Sequence, residues 1–169
     1  SCVDPRSLTR VYTAVRMHTR PETWDLLARG WKLAYELTRE GLTAAEEIFR
    51  RAVKAAPTSC DAHHLLATVL IHQAFMGYAA DKDATISEAY ELAKRAVTLD
   101  EQNEYAHWIM GVIQQNSGKH DRAIAAQEKA IVLSPNDAEG IASLAGILTW
   151  AGRPQETVEL IKKAMRLNT

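Results

Sequence analysis

Two groups of side chains in this sequence have the chemistry to do something beyond folding. One is a set of four tryptophans, Trp24, Trp31, Trp108 and Trp150; the other is the thiol and imidazole run Cys60, His63 and His64, with His72 and His107 further on. Cys60, His63 and His64 stand at helical spacings of three and four, so part of a zinc site is the first chemistry to weigh. Spacing alone supplies no complete ligand set, and no metal or cofactor is expected. Cys2 and Cys60 are the only cysteines, and they lie too far apart in sequence to imply a disulfide framework or a zinc module. Catalytic patterns are missing as well: the chain has no phosphate-cradling glycine loop, GxSxG elbow, HExxH helix or cysteine beside an evident base. Acidic pairs such as Glu46 and Glu47 read as solvated faces. No enzyme activity is therefore expected, and any catalytic domain would lie outside this chain. Recognition by the tryptophans remains, because Trp is enriched at interface hot spots.

Composition narrows the partners. The 169 residues carry 47% hydrophobic side chains, ordinary for one globular body, with twenty basic against twenty-one acidic groups and a formal charge of −1. That balance removes the electrostatic case for nucleic acid or an anionic membrane surface. No apolar run reaches the roughly 18 to 20 residues that span a bilayer, so no membrane span is expected. Sparse cysteines favour a reducing compartment and a cytoplasmic location. The alternative is a periplasmic protein anchored by a lipid on Cys2, which needs a signal peptide upstream. Because the first residue is Ser, the chain is expected to be an excised piece of a longer polypeptide.

The elements that must position these residues are read from residues 104–135, EYAHWIMGVIQQNSGKHDRAIAAQEKAIVLSP. Gly111, Gly118, Ala123, Ala130 and Pro135 sit where two antiparallel helices need small residues at their crossing, a break between them and a stop. Residues 136–169 repeat the spacing with Ala145, Gly152, Thr157 and Ala164, and Pro154 suits a first helical turn. Upstream, residues 22–57 form an irregular pair. Its turn is expected near Glu40 and Gly41, with Thr43 and Glu46 as a capping box and Ala45, Phe49 and Ala52 in the register of Ala123, Gln127 and Ala130. Gly30 falls three residues early in that pair. Residues 58–102 form a longer unit: a helix from Cys60 to Met76, a polar loop, then a helix capped by Thr85 and Glu88 that carries Ala89, Ala93 and Ala96. Residues 1–21 read as an N-terminal helical segment with Leu8, Val11, Tyr12 and Val15 on one stripe and Arg6, Arg10, Arg16 and Arg20 on a solvated face. The last helix carries Val158, Ile161, Ala164 and Leu167 on one face without a polar outer cap, so this end is expected to abut more chain or another subunit.

A period of about 34 residues with this small-residue pattern is the signature of tetratricopeptide repeats, and the sequence resembles that family over residues 22–168. The resemblance implies an all-α, right-handed superhelix of antiparallel helix pairs. Its four repeats would span about 22–57, 58–102, 103–135 and 136–169. In the family the first helix of each pair lines a concave groove. Carried over residue by residue, this implies a groove stripe of Trp24, Leu27, Ala28, Trp31, Ala34 and Tyr35 in the first unit, then Asp61, His64, Leu65, Thr68, Ile71 and His72 in the second. The third contributes Tyr105, Trp108, Ile109, Val112, Gln115 and Asn116, and the fourth Glu139, Ala142, Ser143, Gly146, Thr149 and Trp150. All four tryptophans fall in the stripe and no Lys or Arg does. The implied partner is a protein or peptide with apolar side chains, not the acidic chaperone tail that some members hold. His63 and His107 take equivalent, packing-type positions. The irregular first pair followed by a lengthened second also resembles the repeat regions attached to bacterial class III adenylate cyclases and to some winged-helix activators, which implies a regulatory piece of a signalling protein. Two other readings stand beside it: a scaffold that self-associates through the C-terminal helix, and an envelope lipoprotein-type assembly factor.

Overall fold

A computed structural model describes residues 21–167; the helix expected within residues 1–20 lies outside them. Among the described residues there are eight α-helices, one short 3-10 turn and no strand. The helices are α1 (Pro21–Ala34), α2 (Arg39–Ala55), α3 (Cys60–Phe75), α4 (Lys82–Leu99), α5 (Glu104–Asn116), α6 (His120–Leu133), α7 (Ala138–Trp150) and α8 (Thr157–Leu167), with Pro154–Glu156 leading into α8. They form four antiparallel pairs, and the second helix of each pair packs on the first helix of the next.

Side-chain caps start most of these helices. Ser59, Asp81, Asn103 and Asp137 each accept a hydrogen bond from an early backbone N–H of α3, α4, α5 and α7, and Thr38 does so for α2. Two caps differ from expectation. Thr43 and Thr85 lie inside α2 and α4, where their hydroxyls donate one turn back to the carbonyls of Arg39 (2.8 Å) and Asp81 (2.7 Å). Thr38 and Asp81 begin the helices earlier, and the first turn is at residues 35–38, not at Glu40 and Gly41. The early start explains the three-residue irregularity of the first pair. Gly30 faces Phe49 as Gly111 faces Gln127, so both crossings share one register. The additional residues are an added turn at the front of α2, which begins six residues before Ala45, whereas α6 begins three before Ala123. Gly41 lies in that turn, where a Cβ would stand 2.6 Å from the Leu33 carbonyl oxygen. In the second pair the insertion is shared: α3 has 16 residues against 13 in α5, α4 has 18 against 14 in α6, and the connecting loop is longer.

Burial divides the helices by position in the stack. From Ala62 to Ile71 every residue of α3 is buried, because α1, α2, α4 and α5 all pack against it. An all-round apolar helix suits that central place. The first helices of successive pairs also touch directly, α1 with α3 and α3 with α5, while no second helix comes as close to the second helix of the next pair. The stack of pairs therefore bends toward its first helices. On the other side Arg50 holds Glu88 through two hydrogen bonds of 2.6 and 3.0 Å and Glu46 through one of 2.9 Å, tying α2 to α4. Arg39 lies over the Tyr78 ring at 4.7 Å and pins the α3–α4 loop.

Candidate partner-binding groove

On the inner side, α3 and α5 bring four polar or aromatic side chains together. The His64 ring stacks on Tyr105 with centroids 5.8 Å apart and planes 20° from parallel. Its Nε2 stands 3.3 Å from Asp61 Oδ1, and the same oxygen accepts a hydrogen bond from Asn103 Nδ2, also at 3.3 Å. Asn103 is at once the cap of α5, accepting from the Ala106 N–H. One side chain therefore sets both where α5 begins and how it sits against α3.

The other residues expected to line the groove have different depths. Trp24, Trp31 and Trp108 are half-buried and pack against the main core. The Trp31 indole N–H is buried with no hydrogen-bond partner. Tyr35 is exposed just beyond α1, Tyr105 is half-buried, and Trp150 at the end of α7 is 78% exposed. Gln115 is half-buried with its Oε1 3.2 Å from His120 Nδ1, and exposed Asn116 donates to the Val112 carbonyl. His64 is buried, so little of it faces a ligand beyond the support it provides for Tyr105. Leu27, Ala34, Leu65, Thr68, Ile71 and Ile109, also assigned to the stripe, are core residues, because the first helices close on one another. His72 is half-buried, and burial lowers its pKa below the ordinary histidine value.

Among the described residues no group of three or more His, Cys, Asp or Glu side chains converges on a point that would hold a metal. His63 Nδ1 lies 2.7 Å from the Ser59 carbonyl oxygen and His107 Nε2 lies 3.0 Å from that of Glu101. These contacts hold both imidazoles at packing positions. The Cys60 thiol is pushed up to about 12, mostly by burial and further by Asp61, Asp100 and Glu104, so it carries its proton at neutral pH.

A family model for the tetratricopeptide repeat matches residues 105–137, the α5–α6 pair and the turn after it. That pair is a tetratricopeptide repeat by sequence, and the chain has the fold of tetratricopeptide-repeat proteins. Solved structures agree along nearly the whole length. TTC0263, a thermophilic tetratricopeptide-repeat protein of Thermus thermophilus, is 21% identical with a TM-score of 0.74, over 95% of this chain and 80% of that one. The crystal structure of MamA is 24% identical with a TM-score of 0.62, over 94% and 85%. YrrB, described as a tetratricopeptide-repeat protein with an unusual peptide-binding site, is 20% identical with a TM-score of 0.60, over 96% and 77%. Identities of this size carry the fold alone. No curated protein sequence matches the chain. No described helix is long and apolar enough to cross a membrane.

Within the tetratricopeptide frame two residues stand out that sequence reasoning passed over. Asn103 had a legible signal, an Asn immediately before an amphipathic run. Leu37 had none: it adopts φ +52° at the turn where the other three pairs place Gly77, Gly118 and Gly152 at +73°, +70° and +77°. A leucine there is strained by its Cβ.

Proposed function

We propose that this chain is a protein-interaction module whose inner, first-helix face takes an apolar segment of a partner protein. The observation that supports it most directly is the set of incompletely buried aromatic rings on first helices: Trp31, Tyr105 and Trp108, with Tyr35 exposed at the margin. Rings left part-exposed along the side toward which the pairs bend offer large contact area at low entropic cost. The stripe holds Asp61 and Glu139 and no Lys or Arg, which favours an apolar or mildly basic segment over an acidic one. The peptide-binding site named for YrrB fits this reading of the shared fold. A place within a larger bacterial signalling polypeptide rests on the repeat pattern alone.

Random-peptide display against the immobilised chain tests the reading, followed by calorimetry of the enriched peptides. Enrichment of sequences with two or more apolar anchors, whose binding is weakened by Trp108→Ala and not by Val132→Ala on the exposed side of α6, supports it. Enrichment of acidic sequences, or binding indifferent to Trp108→Ala, overturns it.

A further inference from the structure

The buried apolar side chains of the described residues gather in two clusters. The larger draws on α1 to α5, with Leu27, Phe49, Leu66, Ala93 and Ile113 among its members. The smaller joins Ala123 and Ile124 of α6 to Leu144, Ile147 and Leu148 of α7, with Leu160 of α8 packed against them. The first, second and fourth pairs each keep both helices with one cluster. The third pair is divided, α5 going with the first cluster and α6 with the second. What lies at the α5–α6 crossing is small or polar. Gly111 brings the two backbones so close that a Cβ on it would stand 3.2 Å from the Ala123 carbonyl oxygen, which leaves no room there for apolar side chains to interdigitate. Gln127 takes the place that Phe49 fills over Gly30 in the first pair. Its Oε1, and that of Gln114 one helical turn after Gly111 on α5, are both buried without a hydrogen-bond partner.

We infer that α6, α7 and α8 open from the rest of the chain as one unit at this seam, while α1 to α5 stay folded. The inference is independent of the groove proposed above. The last three helices meet the first five chiefly along α5. Opening there uncovers a glycine and amides on α5, whereas Ile109 and Ile113 stay covered within the larger cluster. Little apolar surface is given up to water, and the orphaned amide oxygens gain hydrogen bonds from it. The opening free energy therefore lies well below that of global unfolding. Opening carries Glu139 and Trp150 of α7 away from Trp108 of α5, so the seam decides whether the first-helix face is continuous across the third and fourth pairs.

Native-state hydrogen exchange of the 169-residue chain in low urea, where rates follow the opening equilibrium, tests it. The slowest amides of α6, α7 and α8 are expected to share one urea dependence and to exchange roughly tenfold or more faster than those of α3 and α4, with the step between α5 and α6. Fraying from the last helix would instead grade the rates from α8 back to α6. Ile71→Val, at a fully buried side chain of the larger cluster, should speed the slowest exchange of α3 and α4 about fivefold. It should leave α6 to α8 unchanged, because Ile71 stays packed in the opened state. Gln127→Met should slow α6 to α8 by about fivefold, since it removes the orphaned acceptor from the closed seam. A step between α6 and α7, a graded profile, or equal acceleration of both sets by Ile71→Val overturns the proposal, as does exchange of α6 to α8 unaffected by Gln127→Met.

Discussion

The carboxylate of Asp61 accepts a hydrogen bond from Asn103, 42 residues away in the chain, at 3.3 Å. Asn103 also caps α5, so the start of the third pair and its docking on the second depend on one amide. Asn103→Ala removes both bonds and is expected to cost about 1 to 2 kcal/mol, against about 1 for an ordinary cap loss such as Asp137→Ala. Asn103→Asp keeps the cap but faces Asp61 with a second carboxylate. Urea unfolding should show Asn103→Asp less stable than wild type at pH 7 and recovering toward it near pH 4. Equal stability at both pH values would mean the Asp61 contact contributes nothing.

Trp108 is half-buried on the core as well as being a candidate anchor, so its removal acts in two ways. Trp108→Ala is expected to cost about 2 kcal/mol of stability, below the 3 to 5 of a fully buried Trp, and to weaken a groove-bound peptide by about 2 kcal/mol, roughly thirtyfold. Denaturant unfolding and calorimetry on the same variant separate the two. A stability loss with unchanged affinity would make the ring purely a packing element.

The pairing of the helices was legible from sequence; the depth of each side chain on the first helices was not. The spacing of Gly111, Ala123, Ala130 and Pro135 marks a helix pair because only small residues fit its crossing, and the tetratricopeptide fold confirms that reading. Whether Trp24 ends in the core or in water depends on how closely α1 approaches α3, which no local pattern encodes. The meeting of His64 with Tyr105 likewise depends on stacking across the lengthened second pair. The false capping boxes arose because Thr43 and Thr85 are each followed three residues later by Glu, while Thr38 and Asp81, about one turn earlier, are the caps, accepting from the Gly41 and Ala84 N–H groups.

Gln127 is a fully buried amide at the crossing of the third pair. Its Nε2 reaches the Gly140 carbonyl only at 3.4 Å, and its Oε1 has no partner. An orphaned buried acceptor costs more than a weak hydrogen bond returns. Gln127→Met, of similar shape, is expected to stabilise by about 1 kcal/mol and raise the thermal midpoint by about 2 to 4 °C. Gly111→Ala should do the opposite, since its Cβ would stand 2.6 Å from that Oε1 and 3.2 Å from the Ala123 carbonyl oxygen. A midpoint lowered by Gln127→Met would show that the amide is better satisfied than its geometry indicates.

Leu37 holds a left-handed conformation, at φ +52°, that its three counterparts reach as glycine. Relief of the Cβ clash outweighs the extra freedom glycine adds to the unfolded chain, so Leu37→Gly should stabilise by about 0.5 to 1 kcal/mol. Guanidinium melts compared at constant slope read the difference. A destabilised variant would reveal packing by the part-exposed leucine that offsets the strain.

Acid should weaken the fold in two steps. Burial lowers the pKa of His72 below its ordinary value of 6.5, so the folded chain keeps that imidazole neutral while the unfolded chain protonates near 6.5. Below that pH the unfolded state binds more protons, and stability falls until the folded value is passed. Glu88 is lowered from 4.5, chiefly by its hydrogen bonds to Arg50, so its contribution is present above 4.5 and lost as pH falls through the lower folded value. Because the Arg50–Glu88 pair is part-exposed, that second step is worth only about 0.5 kcal/mol. Urea melts at intervals from pH 8 to pH 3 should show a plateau above 7 and a decline beginning near 6.5. His72→Gln should flatten the decline that begins near 6.5 while leaving the lower step in place, and Glu88→Gln should remove the lower step alone. A His72→Gln profile that tracks wild type across the upper range would mean the imidazole protonates as readily folded as unfolded.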